Sequence, residues 1–255
     1  MTEILEQAEP LKFDPHGYRS LISRIRYQGY RFVTYGDNLE DPVESRQVIL
    51  RHDVDFSVEY ATEMATIERE MGIGSTYFLS VRSNFYNPLV PSTTRLIRSL
   101  VELGHEIGLH VDLGAYQEPK EDSIRFDMSL LHSLEPLART DIISIHRPAK
   151  QGLDLDHLGF GSFRHTYDHA FFRKMCYMSD STGRWRFGTP LNSPSLREGR
   201  SLQILIHPIW WIEEGDHPSE KLERFLSKHQ VILGSELAES ASRPLPNQPE
   251  VDHSE

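Results

Sequence analysis

Short apolar runs of strand length alternate along this chain with longer segments whose apolar residues return every three or four positions. The first helical segment spans 15–28: Asp14 caps it, Pro15 occupies its first turn, and Leu21, Ile22 and Ile25 share one face. A strand at 31–35 and a loop at 37–42 follow. Val48-Ile49-Leu50 reads as a buried parallel strand that runs directly into Arg51-His52-Asp53-Val54-Asp55. Ser57 then caps a helix over 58–71, which Gly72 and Gly74 end. The alternation continues with a strand at 75–81, a helix at 93–103, a strand at 105–110, a helix at about 119–138 with Leu130, Leu131, Leu134 and Leu137 on its apolar side, and a strand at 142–145. Residues 150–174 lose the periodicity and read as a long irregular segment. Strands at 174–178 and 202–206, a helix at 219–228 and a short element at 231–233 complete the pattern. The alternation predicts an α/β fold with a parallel sheet or a (β/α) barrel, forming a single domain over 1–238, with an acidic mobile tail at 239–255.

Several strands end in polar residues. Asp53 and Asp55 close the strand at 48, His110 and Asp112 the one at 105, and His146-Arg147 the one at 142; Asp180 follows the strand at 174, and His207 the one at 202. The carboxyl ends of parallel strands are where α/β folds build sites. Residues two apart on an extended segment face the same way, so Asp53 and Asp55 can address one ion or one water. The competing reading is structural: Arg51 or another cation neutralises these carboxylates in an ion-pair network.

Composition narrows the chemistry. Cys176 is the one cysteine, so an internal disulfide and a thiolate zinc cage are excluded, and a metal must be held by imidazole and carboxylate. A formal charge of −11 opposes general binding to nucleic acid. No apolar run reaches membrane-span length, and the acidic N-terminus is unlike a signal peptide, so a cytoplasmic location is expected. Carboxylate and imidazole suit zinc or another divalent first-row metal, and such an ion activates water against an amide or ester. The aromatics Phe85, Tyr86, Trp185, Trp210 and Trp211 are expected near the rim, to stack on sugar rings or to pack; an exposed Trp210-Trp211 pair would mark a partner surface or a cover for the barrel end.

The order of these groups resembles a known family. His52-Asp53-Val54-Asp55, Gly104-His105-Glu106-Ile107-Gly108-Leu109-His110, Arg147-Pro148, Asp180 with Trp185, and Leu205-Ile206-His207 are similar to the five successive motifs of polysaccharide deacetylases of the NodB type, over about residues 47 to 210. The resemblance implies a distorted (β/α) barrel and metal-dependent removal of an acyl group from an amino sugar or a surface-polysaccharide precursor. By position it implies Asp53 as catalytic base, Asp55 and His110 as metal ligands, and His207 as general acid. It further implies that Arg147 holds Asp53 and that Asp180 orients the acid. The family's second ligand histidine falls at Gly114, which has no side chain. His146 is expected as the replacement, with Asp112 as the second choice. A hydrolase of another amide or ester, or a carbohydrate-binding or scaffold protein on the same barrel, remains the alternative.

Overall fold

The computed structural model describes residues 11–37, 45–116, 120–152, 154, 159–186 and 188–242. Residues 38–42 of the expected loop, part of the irregular 150–174 segment and residues 243–255 lie outside them. The chain divides into two compact units, Met1–Glu213 and Glu214–Glu255.

The first unit is a curled parallel sheet with helices outside it. Its strands are β1 (Arg31–Val33), β2 (Gln47–Val54), β3 (Thr76–Leu79), β4 (Glu106–Val111), β5 (Ile142–Ile145), β6 (Arg164–His165), β7 (Cys176–Ser179) and β8 (Leu202–Ile206). Every strand pairing is parallel, in the order β6-β5-β4-β3-β2-β8-β7, with β1 off this path against β2. One edge of β2 is shared: Gln47, Val48 and Ile49 pair with β1, and Arg51 through Val54 pair with β3. Side chains span the gap between β6 and β7. Tyr167 and Phe172 place their ring centroids 5.9 and 5.3 Å from Tyr177 and Tyr167 respectively, and the Gln203 amide donates to the Phe171 carbonyl at 3.1 Å. The sheet is thus an incomplete barrel whose last gap is filled by aromatic packing.

Helix α1 (Pro15–Tyr27) precedes β1, and α2 (Val58–Glu70), α3 (Pro91–Glu102) and α4 (Lys120–Leu134) lie between strands in sequence. The predicted caps form: Asp14 accepts from the Gly17 N–H at 2.6 Å and Ser57 from the Tyr60 N–H at 3.1 Å. Helix α4 stops at Leu134, short of the predicted 138, and Leu137 is exposed. Pro136 is the physical reason, since it lacks an N–H and restricts the residue before it. The irregular segment contains a 3-10 turn at Pro148–Gln151, strand β6 and the short helix α5 (His169–Phe172). Helices α6 (Pro194–Glu198) and α7 (Pro208–Ile212) flank β8 in sequence.

Alternation along the strands separates two environments. Toward the helices, Val54, Tyr77, Leu79, Ile107, Leu109, Val111, Ile143 and Ile145 join α2, α3 and α4 residues in one buried cluster. Toward the interior, Val33, Ile49, Phe78 and Ile142 pack with Tyr35, Phe171 and Met175. Each large apolar side chain so buried contributes about 1.5–3 kcal/mol. Gly108 is required here, because a Cβ would stand 2.8 Å from Phe78 Cε1.

His52, in the first motif, faces outward into a fully buried polar cluster. Glu68 of α2 accepts from His52 Nε2 at 2.7 Å and from the Tyr18 hydroxyl on one oxygen, and from Ser75 Oγ at 2.7 Å and the Tyr77 hydroxyl at 2.8 Å on the other. His105 joins through Ser75 at 3.0 Å. These bonds tie α1 and α2 to β2 and β3.

The second unit is dominated by one helix, α8 (Pro218–Ser242). It replaces the two elements expected at 219–228 and 231–233, and it runs through 239, where the tail was expected to begin. Gly234 is its one weak helix former and Pro244 lies beyond its end, so nothing in the sequence breaks it earlier. Arg224 pairs with Glu220 one turn before it at 3.2 Å. Among the described residues no helix is long and apolar enough to cross a membrane.

Candidate active site

The carboxyl ends of β2, β4, β5, β7 and β8 converge. Asp55 follows β2, His110 is the penultimate residue of β4, and His146 follows β5. Asp55 Oδ1 lies 3.1 Å from His110 Nε2 and 3.3 Å from His146 Nδ1, and the two nitrogens are 3.1 Å apart. An ion about 2.1 Å from each of three tetrahedral donors sets them about 3.4 Å apart, close to this triangle. Burial opposes ionisation of Asp55, yet the imidazoles around it, His110 first, with His146 beside it and the charge of His207, hold its carboxyl well below the usual range. The donor set of one carboxylate and two imidazoles fits a zinc-like divalent ion.

His207 stands on the far side of Asp55, its Nε2 3.9 Å from Asp55 Oδ2. Its Nδ1 lies 2.6 Å from Asp180 Oδ1, and Asp180 also accepts from the Trp211 indole N–H at 2.8 Å and from the His207 N–H. Burial disfavours the charged imidazole, but Asp180 outweighs it, with help from Asp55 and Asp53, and lifts His207 to about 9. A shallow cleft opens here, lined by Asp53, Asp55, Phe56, Ser57 and His207 among others.

Asp53 shares the inward face of β2 with Asp55 but makes different contacts. Arg51 Nε donates to its Oδ1 at 2.9 Å and an Arg51 Nη to its Oδ2 at 2.6 Å, while Ser144 Oγ donates to Oδ1 at 2.9 Å. Burial raises its pKa, but Arg51 and His110 overcome that and hold it at about 2. The partner of Asp53 is therefore Arg51, not Arg147. Arg147 is exposed, with a φ of 44° at the entrance to the 3-10 turn, and its guanidinium is not the one on Asp53. The reason is geometric: Arg51 lies two residues before Asp53 on the same strand face, whereas the chain turns away after His146. The structural reading of Arg51 and the site reading of Asp55 hold side by side on one strand.

The structure thus brings Asp53, Asp55, His110, His146, Asp180 and His207 to one mouth and leaves Arg147 outside. Asp112 is not in the donor triangle; its Oδ1 accepts from the Gly114 N–H at 3.0 Å. Two contributors escaped the sequence reading, Ser144 and the Trp211 indole. Ser144 carries a signal in hindsight, being a polar residue two before His146 inside an otherwise apolar strand. The rim aromatics divide: Trp210 and Trp211 are buried, which removes an exposed partner surface there, and Trp185 packs near Phe13 and Trp211. Phe85 is exposed and packs on Phe56 with centroids 4.8 Å apart.

Comparison with solved structures finds carbohydrate esterases and deacetylases at low similarity. The chain is similar to the chitin deacetylase of Colletotrichum lindemuthianum at 16% identity, covering 71% of this chain and 81% of that one, with a TM-score of 0.40. A family 4 carbohydrate esterase from Bacillus anthracis aligns at 12% identity over 82% of this chain and 84% of that one, TM-score 0.39. A family pseudoenzyme from Bacillus anthracis aligns at 17% identity over 74% of this chain and 62% of that one, TM-score 0.38. No family model matches, and no curated protein does. Likeness this distant fixes neither activity nor substrate, and the chemistry rests on the geometry above.

Proposed function

We propose that this chain is a metal-dependent hydrolase that removes an N-acyl group from an amino sugar, free or within a polysaccharide precursor. The observation that carries the reading is the donor triangle of Asp55, His110 and His146 beside the His207–Asp180 pair at one cleft. The three residues would hold a divalent cation, zinc first among the candidates, which supplies polarisation of the acyl carbonyl and acidification of a water. The chain's own groups do the rest. Asp53, kept ionised by Arg51, takes a proton from the attacking water; His207, kept protonated by Asp180, gives one to the leaving amine. Asp180 and the Trp211 indole hold the His207 ring toward the cleft. The Phe56–Phe85 pair beside the cleft offers an apolar face of the kind that stacks on a pyranose.

The engagement of Asp53 by Arg51 and Ser144 favours a second reading, a carbohydrate-binding protein on the same barrel. Acyl release from N-acetylated amino sugars, chito-oligosaccharides and nucleotide sugars separates the two. Zinc-loaded wild type is expected to release acetate, and Asp53→Asn and His207→Ala to lose at least about 100-fold in rate. Sugar binding without a stoichiometric ion and without acyl release sinks the hydrolase.

A further inference from the structure

We propose that Ser144 is a positioning residue that sets the tautomer of His110 and so presents its bare Nε2 to the cation site. This rests on the hydrolase reading for the identity of the ligand, but the tautomer itself follows from counting donors and acceptors.

The Ser144 hydroxyl is fully buried and has three partners: an Arg51 Nη at 2.6 Å, Asp53 Oδ1 at 2.9 Å and His110 Nδ1 at 3.0 Å. A hydroxyl has one proton to give and two lone pairs to accept with. Guanidinium only donates, so Arg51 takes one lone pair. Asp53, paired by two Arg51 nitrogens, is a carboxylate and only accepts, so the hydroxyl proton goes to it. One lone pair remains, and His110 must fill it with an Nδ1–H. The neutral ring then carries no proton on Nε2, so that nitrogen turns a lone pair toward Asp55 Oδ1 and His146 Nδ1, each 3.1 Å away, and the lone pairs face a common point that a cation would fill. A metal-binding imidazole needs that lone pair, and its other nitrogen is held by a hydrogen bond that fixes ring and tautomer.

The fold provides the arrangement. His110 and Ser144 are register partners on β4 and β5, so their inward side chains meet directly. Arg51 and Asp53 reach them from β2, which β3 separates from β4, because the sheet curls. Buried charge on β2 is thereby connected through one hydroxyl to the imidazole on β4.

Two measurements test the assignment. Calorimetric titration of metal-free wild type, Ser144→Ala and Ser144→Thr with zinc or cobalt is expected to show about 10- to 100-fold weaker binding in the alanine variant and recovery in the threonine variant, which keeps the hydroxyl. Equal affinity in wild type and a folded Ser144→Ala overturns the role. Should the alanine variant fail to fold, imidazole nitrogen NMR of metal-free wild type decides, at a pH where His110 is neutral and with its signals assigned against His110→Gln. An Nδ1–H tautomer supports the inference, and an Nε2–H tautomer overturns it. Wild type that binds no divalent ion defeats the metal-dependent reading instead, and the NMR result still stands or falls alone.

Discussion

Glu68 makes acid sensitivity calculable. Its carboxylate is fully buried and receives four donors, two on each oxygen, from Tyr18, His52, Ser75 and Tyr77. Burial alone would push its pKa up, but the charge and hydrogen bond of His52, with His105 and Tyr18, hold it at about 2 against an ordinary 4.5. At about 1.4 kcal/mol per pH unit, that gap is worth about 3 kcal/mol of folding free energy. A depressed folded-state pKa means that the contribution is complete above pH 4.5, shrinks as pH falls, and is gone below about 2. Glu68→Gln removes the titration and turns one oxygen into a donor facing donors. The variant is expected to be about 3 kcal/mol less stable than wild type at pH 6, with the difference closing toward pH 2. Urea unfolding followed by circular dichroism, for both proteins across pH 2 to 6, measures the gap directly. Subtracting the two curves cancels the titration of Asp53 and the other carboxylates. A gap that stays constant over that range would refute the claim that Glu68 is ionised in the fold.

Other outcomes follow from the same contacts. Arg51→Met leaves Asp53 buried without its cation and is expected to cost about 3–5 kcal/mol, whereas Arg147→Ala changes stability by no more than about 0.5 kcal/mol; comparable losses in chemical unfolding would restore Arg147 as the partner of Asp53. Gly108→Ala forces a methyl against the Phe78 ring, 2.8 Å away, and should lower stability by about 1–3 kcal/mol, seen as a drop in Tm. His146→Ala should reduce bound zinc at least about 10-fold by elemental analysis, and unchanged metal content would remove it from the ligand set.

Much of this molecule could be read locally. Strand β5 falls on the four residues expected, 142–145, and β8 on 202–206, because short apolar runs between turn formers have few other fates. Asp55, His110 and His207 could be picked out because each ends such a run. The misreadings share a different cause. The family resemblance assigned Arg147 to Asp53, but the backbone turns at Arg147 and leaves it in solvent, while Arg51, two positions before Asp53, points inward with it. Trp210 and Trp211 could be read as a partner surface or as a cover for the barrel end and are buried; a run of five residues after β8 has no periodicity to show which side is covered.

Sequence alone determined which side chains share a strand face and which strand ends carry polar groups, since both follow from a two-residue repeat within a few positions. Which of those ends meet was decided only by the curl of the sheet. It sets β2 against β5 across the interior, so that Arg51, Asp53, Ser144 and His110, 93 positions apart at the Arg51–Ser144 bond, share one hydrogen-bonded cluster. No local pattern encodes that distance, because it depends on strand order and curvature, which are properties of all the strands together.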